Sequence, residues 1–151
     1  MHDDGPRIVW HLGLQKTGTT TIQKFINRNA THFEQYAALF VKKPGDRSSE
    51  IGLAAKAFSG KVAANLRHKR EERLRIAVAD IVASAETHPR KTALVSDENM
   101  LGHWIYRNGI SIFDRAERLM PELCRLAYPA HSHFIIYIRK LEKWLDSCWA
   151  Q

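Results

Sequence analysis

"HLGLQKTGTTTIQ", residues 11–23, holds two glycines, one lysine and four threonines between an apolar run and a helical-looking one. Upstream, "RIVWHLGL" (7–14) reads as a short β-rich strand. Downstream, "TTIQKFINRN" places Ile22, Phe25 and Ile26 on one helical face. The stretch is therefore a strand, a turn and a helix. Gly13 and Gly18 stand five residues apart, as in a P-loop, where glycines let the backbone curl until successive N–H groups point at one phosphate. A nucleotide-triphosphatase loop reads GxxxxGK[ST]. Here Thr19 takes the lysine position and Lys16 stands in mid-loop, so the sequence is not a Walker A motif. A transferred phosphoryl group needs Mg²⁺ and the loop lysine to offset a dense charge, whereas a sulfuryl group carries less charge and can be handled without metal. Without further context the same residues also fit a glycine turn capped by threonines at an ordinary helix start.

Apolar runs alternate with helical patterns along the rest of the chain. "YAALFVKK" (36–43) predicts a second strand, and "EIGLAAKAF" after "PGDRSS" a short helix. From Asn65 to about Glu86 a charged helix carries Leu74, Val78, Ile81 and Ala85 at core spacing, and "HPR" stops it before the strand "KTALVS" (91–96). "ISIFDRAERLMPELCRLAY" predicts a helix with an internal proline that buries Phe113, Ala116, Met120 and Leu123; "SHFIIYIR" (132–139) is another strand, and "LEKWLDSCWAQ" a last helix. Nearly continuous apolar strands separated by helical crossovers predict an α/β fold of three layers, P-loop-like, with a parallel β-sheet flanked by helices and ligands at the strands' carboxyl ends. No repeat, linker or low-complexity tract interrupts the pattern, and 151 residues suit a single domain.

With 23 Lys and Arg against 16 Asp and Glu, the net charge of +7 favours anionic partners such as nucleotides, nucleic acid, sulfated sugars or anionic membranes. No stretch approaches the roughly 20 apolar residues of a membrane span, and the opening "MHDDGPR" is acidic, unlike a signal peptide, so a cytoplasmic location is expected. Cys124 and Cys148 stand in apolar helical contexts without CxxC or metal spacing, which predicts buried thiols.

The string "HLGLQKTGTTTIQ" resembles the 5′-phosphosulfate-binding loop of sulfotransferases that use 3′-phosphoadenosine 5′-phosphosulfate (PAPS), especially their bacterial-type and carbohydrate-directed branches. The resemblance implies that Lys16 meets the 5′-phosphate and the bridging oxygen. Gly18, Thr19 and Thr20 then supply backbone and hydroxyl donors, Thr17 belongs to the same cradle, and Gln15 and Thr21 flank it. In the same family an arginine ending a strand and a serine eight residues on bind the 3′-phosphate, which matches Arg139 and Ser147 in "RKLEKWLDSCWAQ". The chemistry is sound on its own terms, since an arginine fork grips phosphate in bidentate fashion and a serine adds a hydroxyl donor.

A third loaded turn is "SDENM" (96–100). Family members often carry Ser-x-Glu here with the glutamate as catalytic base, which nominates Glu98 and keeps Asp97 in reserve; an alcohol is a poor nucleophile until its proton is drawn off. The same "SDEN" also suits a plain helix cap. His11 is a weaker base candidate, since histidine inside a strand is commonly a core residue. "RHKREERLR" (67–75) reads as a solvated helix face, and His131 and His133 lack further ligands at zinc spacing, so no metal site is expected. Trp104, Trp144 and Trp149 suit core packing or a pocket wall.

The expected activity is sulfuryl transfer from PAPS to an acceptor hydroxyl on a sugar, lipid or small molecule, releasing 3′-phosphoadenosine 5′-phosphate (PAP), with no metal and no nucleic-acid partner. The alternatives are a P-loop kinase or nucleotide triphosphatase, and a non-catalytic nucleotide- or polyanion-binding module. The sequence stops at Gln151 without a helix stop signal, whereas the sulfotransferases it resembles continue well beyond this helix. That predicts a chain lacking the family's C-terminal part, with uncovered apolar surface favouring a homo-oligomer.

Overall fold

Four strands form one parallel sheet in the order β2-β3-β1-β4: β1 Arg7–His11, β2 Ala38–Val41, β3 Thr92–Ser96 and β4 His131–Ile135. The computed structural model describes residues 5–13, 18–43, 45–46, 49–58, 62–101, 112–137 and 142. Helices α1 (Thr19–Arg28) and α2 (Ala30–Phe33) connect β1 to β2. Helix α3 (Glu50–Ala54), a 3₁₀ turn (Ala55–Phe58) and α4 (Ala64–Thr87) connect β2 to β3, and α5 (Ile112–Ala127) lies between β3 and β4.

The sheet is all-parallel and helices flank it, the three-layer α/β arrangement expected from the alternating pattern. Register fixes which side chains share a face. Ile8 pairs with Ala93 and Trp10 with Val95, while His11 pairs with Ser96. Since side chains alternate along a strand, Ile8, Trp10, Ala93 and Val95 look one way and His11 and Ser96 the other. The first set packs with Leu12, Leu74, Val78, Ile81, Leu119 and Leu123 in one apolar core, so α4 and α5 lie on that face. Right-handed crossovers, with β2 and β4 on opposite sides of the β3-β1 pair, place α1 on the other face.

Helix α4 buries Leu74, Val78, Ile81 and Ala85, the expected stripe, while residues 67–73 are mostly exposed. Helix α5 departs from expectation. Its buried positions are Arg115, Leu119, Leu123 and Ala127, spaced four apart, whereas Phe113 is 74% exposed and Ala116 and Met120 are half-buried. The apolar stripe reads Phe113 as inward, but the long apolar stem of an arginine can fill a core position as well. Helix α1 departs likewise: Ile26 is buried, Phe25 is exposed, and the inward positions go to Thr19 and Gln23. Cys124 is exposed on α5, not buried, because the buried stripe passes one residue before it. Cys148, Trp104, Trp144 and Trp149 lie outside the described residues.

The strand β4 is the less covered edge. His133 and Ile135 are exposed, although Trp10 stacks on Phe134 at 6.4 Å between ring centroids and donates to Ser132 Oγ at 3.1 Å from the core side. No helix among the described residues is long and apolar enough to cross a membrane.

Candidate functional site

The sheet order creates a crevice. The β1-to-β2 connection leaves over the face that carries α1 and the β3-to-β4 connection over the face that carries α5; the carboxyl ends of the adjacent strands β1 and β3 therefore lie where the connections part. In open α/β sheets such a switch point is where ligands bind, because no crossover blocks it. The residues after β1, β2 and β3 all reach this place.

At the end of β1, Gly13 must be glycine for a local reason. A Cβ there would overlap the Thr19 hydroxyl, so the strand exit and the first turn of α1 are in direct contact. Thr19 is consequently buried, its hydroxyl turned inward against Gly13. Gly18 sits at the N-cap of α1 with φ 94°, a left-handed conformation that a Cβ would strain. No side chain caps the helix. The first intrahelical bonds run from the Thr21 and Ile22 N–H groups to Gly18 O at 3.0 and 3.2 Å, so the N–H groups of Thr19 and Thr20 lie ahead of the helical ladder, at the positive end of its dipole. Thr20 and Thr21 are exposed beside them.

At the end of β3, the neighbours Asp97 and Glu98 have opposite environments. Asp97 is fully buried, and one oxygen accepts from both the backbone N–H (2.8 Å) and the hydroxyl of Ser49, while the other accepts from Asn99 N–H at 2.7 Å. Ser49 in turn caps α3 by accepting from Gly52 N–H at 3.1 Å. Asp97 thus ties the β3 exit to the start of α3. Glu98 points elsewhere: Lys42 Nζ donates to its Oε1 at 3.0 Å, and Thr20 donates to its Oε2 at 3.4 Å. The Lys42 and Glu98 side chains are only 11% and 13% exposed, so this pair is more shielded than the surface pairs Glu72–Arg75 and Glu122–Arg125.

Lys42 comes from the end of β2, which its own N–H extends by donating to Ser96 O at 3.0 Å. Its ammonium also donates to Asp46 O at 3.2 Å. Two amides fasten α1 over these strand ends: Gln23 donates to Ser96 O at 3.3 Å, and Asn27 to Lys42 O at 3.0 Å. His11 lies beneath, 3% exposed, with Nδ1 2.7 Å from Ser96 Oγ and its ring edge-on to Tyr137. Burial lowers its pKa below the ordinary imidazole value, while the nearby Glu98 charge pulls the other way.

The structure thus brings Gly18, Thr19, Thr20 and Glu98 to one crevice. Gln15, Lys16, Thr17, Arg139 and Ser147 lie outside the described residues. Lys42 was not legible as a site residue, since a lysine directly after a strand ordinarily reads as solvated. Only the parallel register β2–β3 shows that it meets Glu98. Among the described residues no group of three His, Cys, Asp or Glu side chains could hold a metal ion.

No family model, curated protein or solved structure matches the chain.

Proposed function

We propose that the protein is a PAPS-dependent sulfotransferase that transfers a sulfuryl group to an acceptor hydroxyl and releases PAP. The observation that carries this reading is the approach of Thr20, on the first turn of α1, to Glu98 at the tip of β3. It brings the helix start that would receive a phosphate and the carboxylate that would take a proton to the same crevice, as in-line transfer requires.

The division of labour follows from the contacts. Lys42 anchors Glu98 through Oε1, leaving Oε2 with one long contact to an exposed threonine. Oε2 is therefore the oxygen available to accept the acceptor's proton as its oxygen attacks sulfur. The S–O bond to the 5′-phosphate breaks in the same event, and charge on that phosphate falls to the α1 N–H groups and to Lys16. Arg139 and Ser147 are assigned the 3′-phosphate by their eight-residue spacing. Asp97 is not the base in this reading, because both its oxygens already serve Ser49 and Asn99. The same commitment weakens the kinase alternative, in which a carboxylate at the end of this strand would hold Mg²⁺.

The test is PAPS-dependent sulfation across a panel of sugar, lipid and phenolic acceptors, for the unmodified protein and Glu98→Gln. Transfer should fall by about 10²- to 10⁴-fold in the variant with PAP affinity retained. Equal transfer by both proteins would remove Glu98 from the reaction. PAP binding with no transfer to any acceptor would favour a nucleotide-binding module.

A further inference from the structure

The crevice holds a buried polar atom that nothing among the described residues satisfies. His11 is 3% exposed, one nitrogen rests against Ser96 Oγ, and the other, Nε2, has no hydrogen-bond partner. A buried polar group without a partner costs about 1 to 3 kcal/mol, so its persistence needs a reason. The position supplies one. His11 ends β1 two residues before Gly13, on the sheet face that carries α1, and stands within the field of Glu98. The uncapped N-terminus of α1 opens at the same strand end.

We propose that His11 is a ligand-binding residue of the crevice, whose Nε2–H donates to an oxygen of the tetrahedral anion held at the start of α1, the 5′-phosphate in the sulfotransferase reading. In this proposal the Ser96 hydroxyl donates across the 2.7 Å contact between Nδ1 and Ser96 Oγ, the arrangement that leaves the proton on Nε2. Burial lowers the ring's pKa and so favours the neutral form, which offers a fixed dipole without adding a charge that would have to be shielded from the other cations of the site. The identity of the anion rests on the sulfotransferase reading; the donor role of His11 toward an oxyanion does not.

The experiment uses ¹⁵N-histidine-labelled protein and long-range ¹H–¹⁵N spectra, recorded free, with PAP and with inorganic sulfate. His11→Phe and His11→Gln assign the His11 signals among the eight histidines of the chain. In the free protein His11 should be the neutral Nε2–H tautomer, and saturating PAP should move its Nε2 and Hε2 resonances downfield. His11→Phe should weaken PAP about 10-fold, and His11→Gln, whose amide can still donate, should recover part of that loss. If His11→Phe proves too unstable to assay, the spectra of the unmodified protein decide alone. Saturating PAP that leaves Nε2 unmoved, or a His11→Phe protein of unchanged PAP affinity, would overturn the donor role and leave the sulfotransferase reading standing. Failure of PAP to bind, with sulfate still moving Nε2, would sink the sulfotransferase reading and keep the oxyanion site. No response to either ligand would end both.

Discussion

The two faces of the sheet obey different rules. Toward α4 and α5, Ile8, Trp10, Ala93 and Val95 meet Leu74, Val78, Ile81, Leu119 and Leu123, and stability comes from apolar area removed from water. Toward α1, the register pair His11–Ser96 is polar, and Gln23 crosses from the helix to Ser96 O. Beyond the strand tips, Asp97, Glu98 and Lys42 continue that polarity. Buried polar groups stabilise little when paired and cost much when not. Such packing gains a protein little stability, and its place at the strand tips is what the proposed ligand site accounts for.

Substitutions can break that comparison if its two sides respond alike. The largest stability loss should come from the apolar face. Leu119→Ala, at a fully buried position of α5, should cost about 2 to 5 kcal/mol in urea unfolding while PAP affinity of the folded protein stays unchanged. Loss of affinity without loss of stability would erase the distinction between the faces. Next comes Asp97→Asn, which sets an amide NH₂ against donors that the carboxylate now accepts. It should cost about 1 to 3 kcal/mol and leave sulfuryl transfer intact per folded molecule. Transfer lost at full stability would instead make Asp97 the base.

The smallest effect is a pH dependence. The folded-state pKa of His11 lies below its unfolded value of about 6.5, so the unfolded chain binds the proton more readily. The contribution of His11 is therefore present above pH 6.5 and lost as pH falls from there through the folded value. In His11→Phe that part of the acid-side decline should vanish, as read by unfolding midpoints between pH 7 and 5. An unaltered slope would mean that another group sets it.

The apolar face was legible because its signal is periodic. Leu74, Val78, Ile81 and Ala85 announce a buried stripe, and strands such as "KTALVS" have nothing else to be in a chain that alternates with helices. Periodicity failed where polar side chains occupy inward positions. Gln23 and Arg115 take inward positions, whereas Phe25 and Phe113, which the apolar spacing places inward, are exposed. The crevice was legible in part, since glycine spacing and a carboxylate after a strand are local patterns. Lys42 and the His11–Ser96 pair were not, because each depends on strands far apart in sequence lying in one particular order and register.

The central claim is that the opening between β1 and β3 binds the phosphosulfate nucleotide, and thermal unfolding with PAP, 5′-AMP and ATP with Mg²⁺, on the unmodified protein and Lys16→Ala, tests it most directly. PAP should raise the midpoint most and bind about 10-fold or more tighter than 5′-AMP, the preference being due to the 3′-phosphate, and Lys16→Ala should abolish the shift at an unaltered ligand-free midpoint. Stabilisation by ATP with Mg²⁺ and none by PAP, or a PAP shift that survives the loss of Lys16, would contradict it.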